Sequence, residues 1–366
     1  MVIDRTQISS GSGAAADAAQ RLRCGQVVGV PTETVYGLAA DATNADGVAE
    51  IFTVKGRPAN NPLITHVLST TEAKWITGGW PKSAEILAAA FWPGPLTMVL
   101  PSSGKVAPAV SAGLSTIGVR VPAHPVMREI LTLAKIPLAA PSANRSGRIS
   151  PTTAGHVIAD LDGRIGLIVD GGPCAIGIES TVVGFRDEQP IIYRPGIITT
   201  EDIDQALRRA GINNLSTVIF SAADGAAMPS PGLLSRHYAP SRPTHLFLRS
   251  AMNRLPPQWM QVPEGKHRGV ICFGTLADLP FEADIITLPA DLYHAAGRLY
   301  SAMHQMDRPM IDMILIELPG SDQLPASEVE AHSEPNDRHI AALSGMARVL
   351  ADRLVRAASH WPQVPS

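Results

Sequence analysis

Residues 27–38 read VVGVPTETVYGL, and this stretch decides the fold that we predict for the first part of the chain. Val27 to Val30 is a short, largely β-branched run that indicates a buried strand, which Pro31 ends. The hydroxyl and carboxylate side chains of residues 32–34 then follow a strand end, which is the usual ligand-binding edge of an open α/β sheet. By itself the segment is equally typical of a capped turn that leads into a helix.

Helix and strand patterns alternate on both sides of this stretch. Helical spacing occurs at residues 14–24, 45–55, 82–91, 126–134, 152–160 and 201–210, and strand patterns occur at 96–100, 117–121, 137–140, 166–170, 181–185 and 191–193. Such alternation is typical of an α/β domain, because helices must cover the faces of the sheet. We therefore predict a twisted, mixed sheet with flanking helices.

The composition shifts between residues 221 and 243, which are rich in Ala, Ser, Gly and Pro and indicate an interdomain linker. Strand patterns at 246–248, 270–273, 285–288 and 313–318 and helical patterns at 292–306 and 341–358 follow. We predict a catalytic α/β domain at 1–220, the linker at 221–243 and a small Rossmann-like domain at 244–366. The second domain lacks a GxGxxG motif, so nothing indicates dinucleotide binding there.

The bulk properties are those of a globular protein. Of the 366 residues, 45% are apolar and 17% are charged, and the formal net charge of -3 is typical of a poor general binder of nucleic acid. Three scattered cysteines, Cys24, Cys174 and Cys272, fit a reducing compartment. Without an apolar leader, a membrane-length run or a metal-binding motif, we expect a cytoplasmic protein with no membrane partner and no protein metal site.

Two cations follow the helical pattern at 45–55. Lys55 and Arg57 are two residues apart on a loop that Pro58 and Pro62 stiffen. They are suited to holding phosphates, because Arg makes planar bidentate contacts and Lys contributes a point charge. Spacing alone favours another interpretation, an exposed basic helix end that complements the helix dipole.

Two titratable side chains lie within apolar runs. Arg120 is flanked by Val119 and Val121 and needs a partner when it is buried, either a substrate carboxylate or an internal Asp or Glu. The sequence alone leaves these alternatives open. His66 lies in another apolar run and is, on that ground, more typical of a core residue than of a ligand.

Loops of small polar residues follow later strand patterns. Residues 141–147, PSANRSG, allow a ligand to approach closely, although an ordinary turn has the same composition. Polar groups recur at strand ends at 179–181 and 193–196. No Walker A loop, GxSxG elbow or kinase motif is present, so the sequence does not indicate a covalent nucleophile.

Taken in order, these segments resemble one family, the threonylcarbamoyl-AMP synthases of the YrdC-like superfamily in their long, two-domain form. The matching segments are PTETVYGL (31–38), KGRPANNPL (55–63), FWPGPLT (91–97), STIGVRVP (115–122), PSANRSG (141–147), ESTVV (179–183), YRPG (193–196) and SRHYAP (235–240). The resemblance covers residues 14–243 well and the last third loosely. It implies a YrdC-like sheet domain followed by the Rossmann-like domain.

The resemblance implies a reaction. L-threonine, bicarbonate or CO2, and ATP give L-threonylcarbamoyladenylate and diphosphate. The product serves the formation of threonylcarbamoyladenosine in tRNA, which a separate transferase complex completes, so direct tRNA binding is not required of this chain. ATP is a substrate here, and Mg2+ is expected to be held mainly by its phosphates and by water.

The same resemblance places the substrates residue by residue. The catalytic pair is Lys55 and Arg57. L-threonine is expected near Thr34, His66, Arg120, Ala140 and Ser180. ATP is expected on Lys55, Arg57, Asn61, Thr116, Ser142, Asn144, Ser150 and Arg194, with Tyr238 from the linker as a candidate lid. Ala140 is expected to contribute a backbone group, because its methyl group cannot form a hydrogen bond.

Two rival functions stay open on the sequence. A YrdC-like RNA-binding module without turnover would use a basic surface and bind in a salt-dependent way; its candidate residues are Lys55, Arg57, Arg145, Arg148 and Arg194. An enzyme that carbamoylates a protein partner would carry acylphosphatase and zinc-finger regions, which are not seen. Residues 319–339 form a polar loop where family members often have a Gly-Leu-Gly segment, so the role of the second domain is open.

Overall fold

The computed structural model describes residues 5–220, 237–250, 255–276, 279, 281–320 and 343–359. Within these residues the chain divides into two compact units. The first comprises residues up to 146 and from 150 to 220, and the second comprises residues 147–149 and those from 237 onward. The predicted linker up to residue 236 and the predicted polar loop from residue 321 lie outside the described residues.

Short strands and helices alternate along the first unit. Its helices are α1 (Ala14–Arg23), α2 (Ala45–Lys55), α3 (Thr70–Ile76), α4 (Lys82–Phe91), α5 (Pro125–Ala134), α6 (Ala154–Leu161) and α7 (Thr200–Arg209). Its strands are β1 (Gln7–Ser9), β2 (Val28–Val30), β3 (Gly37–Asp41), β4 (Ile64–His66), β5 (Leu96–Pro101), β6 (Thr116–Arg120), β7 (Leu138–Ala139), β8 (Leu167–Val169), β9 (Thr181–Arg186), β10 (Gln189–Arg194) and β11 (Val218–Ile219). A 3-10 helix at Pro108–Ser111 separates β5 from β6.

These strands form one mixed sheet in the order β1-β8-β2-β3-β7-β4-β6-β5-β9-β10-β11. Parallel neighbours such as β4 and β6 occur beside antiparallel neighbours such as β5 and β6. The central strands β7, β4, β6, β5 and β9 bring distant parts of the chain side by side. The predicted mixed sheet with flanking helices is confirmed.

Helices cover both faces of this sheet, which explains why its strands are short apolar runs rather than alternating patterns. Leu22 of α1 and Met127 of α5 belong to the core on one face. Ile51 of α2, Leu87 of α4 and Leu207 of α7 belong to the larger core on the other. The central strands are thereby held rigidly, and so are the loops at their ends.

The loop after β2 leads into β3, so its interpretation as a capped turn into a helix is wrong. Thr32 organises the loop, because its Oγ1 accepts two backbone N–H groups and donates to the carbonyl of Val35. Gly37 then allows a close approach to the segment after β7. A Cβ atom at Gly37 would lie 3.2 Å from Cβ of Ala140. The loop 31–36 is thus held by the Thr32 hydrogen bonds within it and by the close packing of Gly37 at its end.

The second unit contains a smaller, all-parallel sheet with the strand order β12-β15-β13-β14. Its elements are β12 (Thr244–Phe247), α8 (Pro257–Met260), β13 (His267–Phe273), β14 (Ala283–Leu288), α9 (Leu292–Met306), β15 (Ile311–Glu317) and α10 (Gly345–Ala357). The Rossmann-like α/β character predicted for this region is confirmed. None of the helices in the described ranges is long and apolar enough to cross a membrane.

Gly196 marks a close backbone approach beside β9. A Cβ atom there would lie 2.4 Å from the backbone N of Thr181 and 2.7 Å from its Oγ1. We expect Gly196→Ala to lower the free energy of unfolding by about 3 kcal/mol, because strand backbone must shift. Urea unfolding measures the loss. Gly155→Ala in α6 is the control: its Cβ would make an ordinary 3.6 Å contact with Thr153, so we expect no loss. Equal losses in both variants would contradict this explanation.

Candidate active site

Arg120 ends β6 and is buried, and its partner in the structure is an internal carboxylate. Its Nη2 lies 2.7 Å from Oε1 of Glu33. Its Nη1 donates to Oγ1 of Thr34 at 2.9 Å, and its Nε donates to the carbonyl oxygen of Gly94 at 3.1 Å. The backbone N–H of Ala123 also donates to Oε1 of Glu33. The loop between β2 and β3 is thereby attached to β6 through a buried ion pair.

The ion pair keeps Glu33 ionised. Burial acts to raise the pKa of Glu33, but the charge of Arg120 and its hydrogen bond outweigh burial and hold the pKa below its usual value. Glu33 is therefore a carboxylate at neutral pH.

His66 lies beside Arg120 in the parallel pairing of β4 with β6. It is 3% exposed, and its Nδ1 has no hydrogen-bond partner within the described part of the chain. Burial first, and the charge of Arg120 second, lower the pKa of His66 to about 3. The imidazole is therefore neutral at physiological pH.

This neutral histidine makes stability depend on pH. In the unfolded chain His66 takes up a proton below its usual pKa of about 6.5, whereas the folded protein excludes that proton until about pH 3. Stability is thus lost as the pH falls, and we expect the wild type to lose about 2 kcal/mol more than His66→Gln between pH 7 and pH 5. Urea unfolding at several pH values measures the difference. Parallel curves for the two proteins would contradict a buried, neutral His66.

Ser180 joins the predicted threonine and ATP residues. Its Oγ lies 2.8 Å from Oγ1 of Thr97 on β5. The buried Arg194, at the end of β10, donates from Nη2 to the Ser180 Oγ at 3.1 Å and to its carbonyl oxygen at 3.0 Å. A residue expected at threonine and a residue expected at ATP therefore touch each other.

Ala140 follows β7, and its side chain is buried. Its methyl group belongs to the core beneath α1 and α5. Its N–H donates to the carbonyl oxygen of Ile64 at 3.0 Å. A backbone contribution from Ala140 to a ligand would therefore come from its carbonyl oxygen.

Lys55 ends α2 with its ammonium group inside the protein. Its Nζ donates to the carbonyl oxygens of Ser142, at 2.5 Å, and of Asn144. Burial first, and the charge of Arg57 second, lower the pKa of Lys55 well below its usual value. The side chain connects α2 with the PSANRSG loop, so two of the segments from the sequence meet here.

Arg57 is also buried, and it orders the loop that follows α2. Its Nε donates to the carbonyl oxygen of Asn61. Its Nη2 donates to Oδ1 of Asn61 and to the carbonyl oxygen of Pro62. The interpretation of Lys55 and Arg57 as an exposed basic helix end is therefore wrong. Nδ2 of Asn61 is a buried donor without a hydrogen-bond partner among the described residues.

The remaining predicted ATP residues of this unit are less closely connected. The Ser150 hydroxyl donates to Oε1 of Glu179 at 2.5 Å. Thr116 begins β6 and shares the face of Arg120, because side chains alternate along a strand. It lies about 13 Å from Arg120 along the strand, so the two belong to different parts of any ligand site.

Tyr238 belongs to the second unit, where it is fully buried. Its ring stacks on Tyr300 with centroids 5.6 Å apart, and the guanidinium of Arg353 lies 5.3 Å from the ring centroid. The expectation that Tyr238 covers the nucleotide stays a prediction. Ser235 and Arg236 of the same predicted lid lie outside the described residues.

Three residues join this network that sequence reasoning gave no role: Glu33, Thr97 and Glu179. Each lies inside one of the matching segments. Their partners are distant in the chain, and only the folded arrangement identifies them.

The arrangement is suited to anionic ligands. It brings Lys55, Arg57, Arg120 and Arg194 into the interior at the ends of strands and helices. Buried guanidinium and ammonium groups at preformed positions stabilise carboxylates and phosphates without reorganisation. Among the described residues, no group of three or more His, Cys, Asp or Glu side chains is placed to hold a metal ion.

Family models match both units. The model Sua5_yciO_yrdC, described as "Telomere recombination", matches residues 20–196. The model Sua5_C, described as "Threonylcarbamoyl-AMP synthase, C-terminal domain", matches residues 198–359. Fold and site together thus define a two-domain protein of the Sua5/YciO/YrdC class.

Relatives over nearly the whole chain narrow this class. The threonylcarbamoyl-AMP synthase of Bacillus subtilis is 39% identical over 317 residues, which are 85% of this chain and 89% of the relative. That of Pyrococcus abyssi is 40% identical over 307 residues, 82% of this chain and 87% of the relative. The crystal structure of P. abyssi Sua5 complexed with L-threonine has a TM-score of 0.80 at 35% identity and covers 96% of this chain and 98% of its own. The chain belongs to the threonylcarbamoyl-AMP synthase family, which confirms the resemblance and the expectation of an enzyme.

Proposed function

We propose that this protein makes L-threonylcarbamoyladenylate from L-threonine, ATP and bicarbonate or CO2, with release of diphosphate. Beside the family membership, one observation carries the proposal. The buried ammonium of Lys55 donates to two backbone carbonyls, which carry no net charge; burial lowers its pKa and the charge of Asp160 acts to raise it, so a bound anion would further stabilise the charged form. An ion buried in this way is costly unless a ligand of opposite charge completes its surroundings.

The triphosphate of ATP is the anion that we assign to this place. Lys55 and Arg57 hold its phosphates, and the buried Nδ2 of Asn61 supplies a donor that the described protein does not use. Four further residues contact the nucleotide in this proposal: Ser142, Asn144, Ser150 and Arg194. Thr116, at the start of β6, contacts a more distant part of it. The cations stabilise the charge that moves onto diphosphate as the new anhydride forms.

L-threonine lies in the neighbouring part of the site in this proposal. The P. abyssi structure was solved with L-threonine, and Arg120 offers a planar fork for the carboxylate of the amino acid. Thr34 and Ser180 supply hydroxyl groups, Ala140 supplies its carbonyl oxygen, and His66 borders the pocket as a neutral imidazole.

Catalysis then rests on positioning and electrostatics. A carbamate oxygen of the amino acid attacks the α-phosphorus, and diphosphate leaves. Holding the two reactants in contact is worth about 7–11 kcal/mol in favourable cases. Mg2+, where it accompanies ATP, would supply charge neutralisation at the phosphates. Exclusion of water protects the short-lived carbamate and the mixed anhydride.

The adenylate is a reactive product that needs a consumer. We assign that role to a tRNA threonylcarbamoyltransferase complex in the cytoplasm. The rival RNA-binding module has little support, because two of its candidate cations already have acidic partners. Arg145 lies 3.8 Å from Asp160, and Arg148 lies 3.7 Å from Asp307.

Diphosphate release tests the proposal. The purified protein is given ATP and Mg2+, with L-threonine and bicarbonate each added or omitted. We expect release only when both are present. Release that is independent of threonine, or no release, would contradict the proposal, and a titration with RNA across salt concentrations would then test the binding module.

A further inference from the structure

Two buried polar atoms of opposite charge lie side by side in the Glu33–Arg120 pair. The side chains of Glu33 and Arg120 are 10% and 4% exposed. Nevertheless, Oε2 of Glu33 has no hydrogen-bond partner within the described part of the chain, and Nη2 of Arg120 has only its 2.7 Å contact with Oε1 of Glu33 there. Buried polar groups in folded proteins are nearly always hydrogen-bonded, so this pair of atoms indicates a ligand that completes them.

The chemistry of the two atoms defines the ligand. Nη2 of Arg120 is a donor that suits a carboxylate, and Oε2 of Glu33 is an acceptor that suits an ammonium group. A simple anion would satisfy Arg120 and face repulsion from Glu33. An α-amino acid carries both groups one carbon apart, so it satisfies both atoms together.

We propose that Glu33 binds the α-ammonium group of the substrate amino acid and accepts the proton that this group loses before the carbamate forms. The proposal rests on the proposed function, because it assigns a role within that reaction. Arg120 is shared between Glu33 and the substrate carboxylate. Glu33 is thus a catalytic residue that touches the substrate at its reacting nitrogen.

The step balances as follows with bicarbonate as the carbon source. One proton passes from the ammonium nitrogen to Oε2 of Glu33 and leaves a neutral amine. The lone pair of the amine forms the N–C bond, the C–OH bond of bicarbonate breaks, and the second amine proton leaves with hydroxide as water. Glu33 later returns its proton to solvent. When CO2 is the acceptor, the first transfer is the same, and the second amine proton passes to solvent as the carbamate forms.

Opposing influences set the proton affinity of Glu33. Burial acts to raise the pKa of Glu33 and Arg120 acts to lower it. The substrate carboxylate shares Arg120 and weakens its lowering influence, whereas the ammonium group beside Glu33 lowers the pKa of Glu33 until its proton is transferred. Other titratable groups near Glu33 are His66, His124 and Cys174.

None of these neighbours is an anion that could pair with an ammonium group at neutral pH. Burial lowers the pKa of His66 to about 3, so its imidazole holds a proton weakly. Burial also lowers the pKa of His124. Burial raises the pKa of Cys174 to about 12, so its thiol stays protonated at neutral pH.

Glu33→Gln in the full-length protein tests the proposal in two ways. Calorimetry without ATP compares L-threonine with the analogue in which a hydroxyl group replaces the ammonium group. We expect the wild type to prefer L-threonine at least about 30-fold and the variant to lose this preference. Diphosphate release by the variant should be at least about 100-fold slower than by the wild type. Below pH 9 the rate of the variant should rise about tenfold per pH unit, because without Glu33 only the free amine form of the substrate reacts. The wild-type rate should be flat over this range.

Controls separate a chemical role from a structural one. Glu188→Gln removes an exposed carboxylate that binds the N-terminus of α4, and it should leave preference and rate unchanged. Where Glu33→Gln does not fold, Glu33→Asp is tested instead. It should keep the preference for L-threonine and the flat pH profile, with slower diphosphate release.

The outcomes are distinguishable. A Glu33→Gln variant that keeps the preference and a flat pH profile overturns the role of Glu33, and so does a Glu33→Asp variant that loses both. A wild type that prefers L-threonine over the analogue but releases no diphosphate overturns the proposed function. In that case the binding comparison still decides whether Glu33 recognises the ammonium group.

Discussion

Replacement of Lys55 with methionine should lower threonine-dependent diphosphate release by about 100- to 1,000-fold without unfolding the protein. Methionine fills nearly the same volume and carries no charge, so the cost of burying an ammonium group disappears. Against this, the carbonyls of Ser142 and Asn144 lose a donor. Because these effects oppose each other, we expect the free energy of unfolding to stay within about 2 kcal/mol of the wild type.

Kinetics at saturating L-threonine and urea unfolding, done on the same preparation, measure both effects. Lys82→Met is the matched control, because Lys82 is exposed at the start of α4 and should change neither quantity. Retention of wild-type diphosphate release by Lys55→Met would show that the buried ammonium does not act on the phosphates.

Much of the fold follows from local patterns in the sequence. The predicted helices at 45–55, 82–91 and 292–306 are found with those bounds. In each, apolar side chains recur at helical spacing toward the core, and no Pro interrupts the pattern. The β-branched run at 27–30 likewise coincides with β2 and the residue directly before it.

The elements that the patterns missed are short or unusual in composition. β3 reads GLAAD, without a β-branched or aromatic residue, and β4 has only three residues. A strand buried on both faces shows no polar alternation, and three residues are too few for any period to be visible. Both strands are nevertheless central in the sheet, and they hold the loops of the site.

The candidate site could be predicted as a set of segments, but the contacts among its residues could not. Lys55, Arg57 and Arg120 were identified from their residue types and the resemblance, and the structure buries all three. The alternatives left open for Arg120 were a substrate carboxylate and an internal acid. The internal acid, Glu33, is far away in the chain, and tertiary folding alone brings the two together.

Removal of Arg120 alone should destabilise the protein severely. In Arg120→Leu the carboxylate of Glu33 stays buried without its cation, and we expect a loss of about 3–5 kcal/mol in the free energy of unfolding. The double variant Glu33→Leu, Arg120→Leu removes both charges, so it should recover most of that stability. A double-mutant cycle from urea unfolding gives the coupling between the two side chains.

Activity should not follow stability in this cycle. The double variant lacks the fork for the substrate carboxylate and the acceptor for the ammonium group, so calorimetry should detect no L-threonine binding although the protein is folded. ATP binding should be retained, because Lys55 and Arg57 hold the phosphates in our proposal. A double variant that still binds L-threonine would place the amino acid elsewhere. Additive losses of stability would show that the ion pair contributes nothing, and the close approach of Nη2 to Oε1 would then not reflect mutual stabilisation.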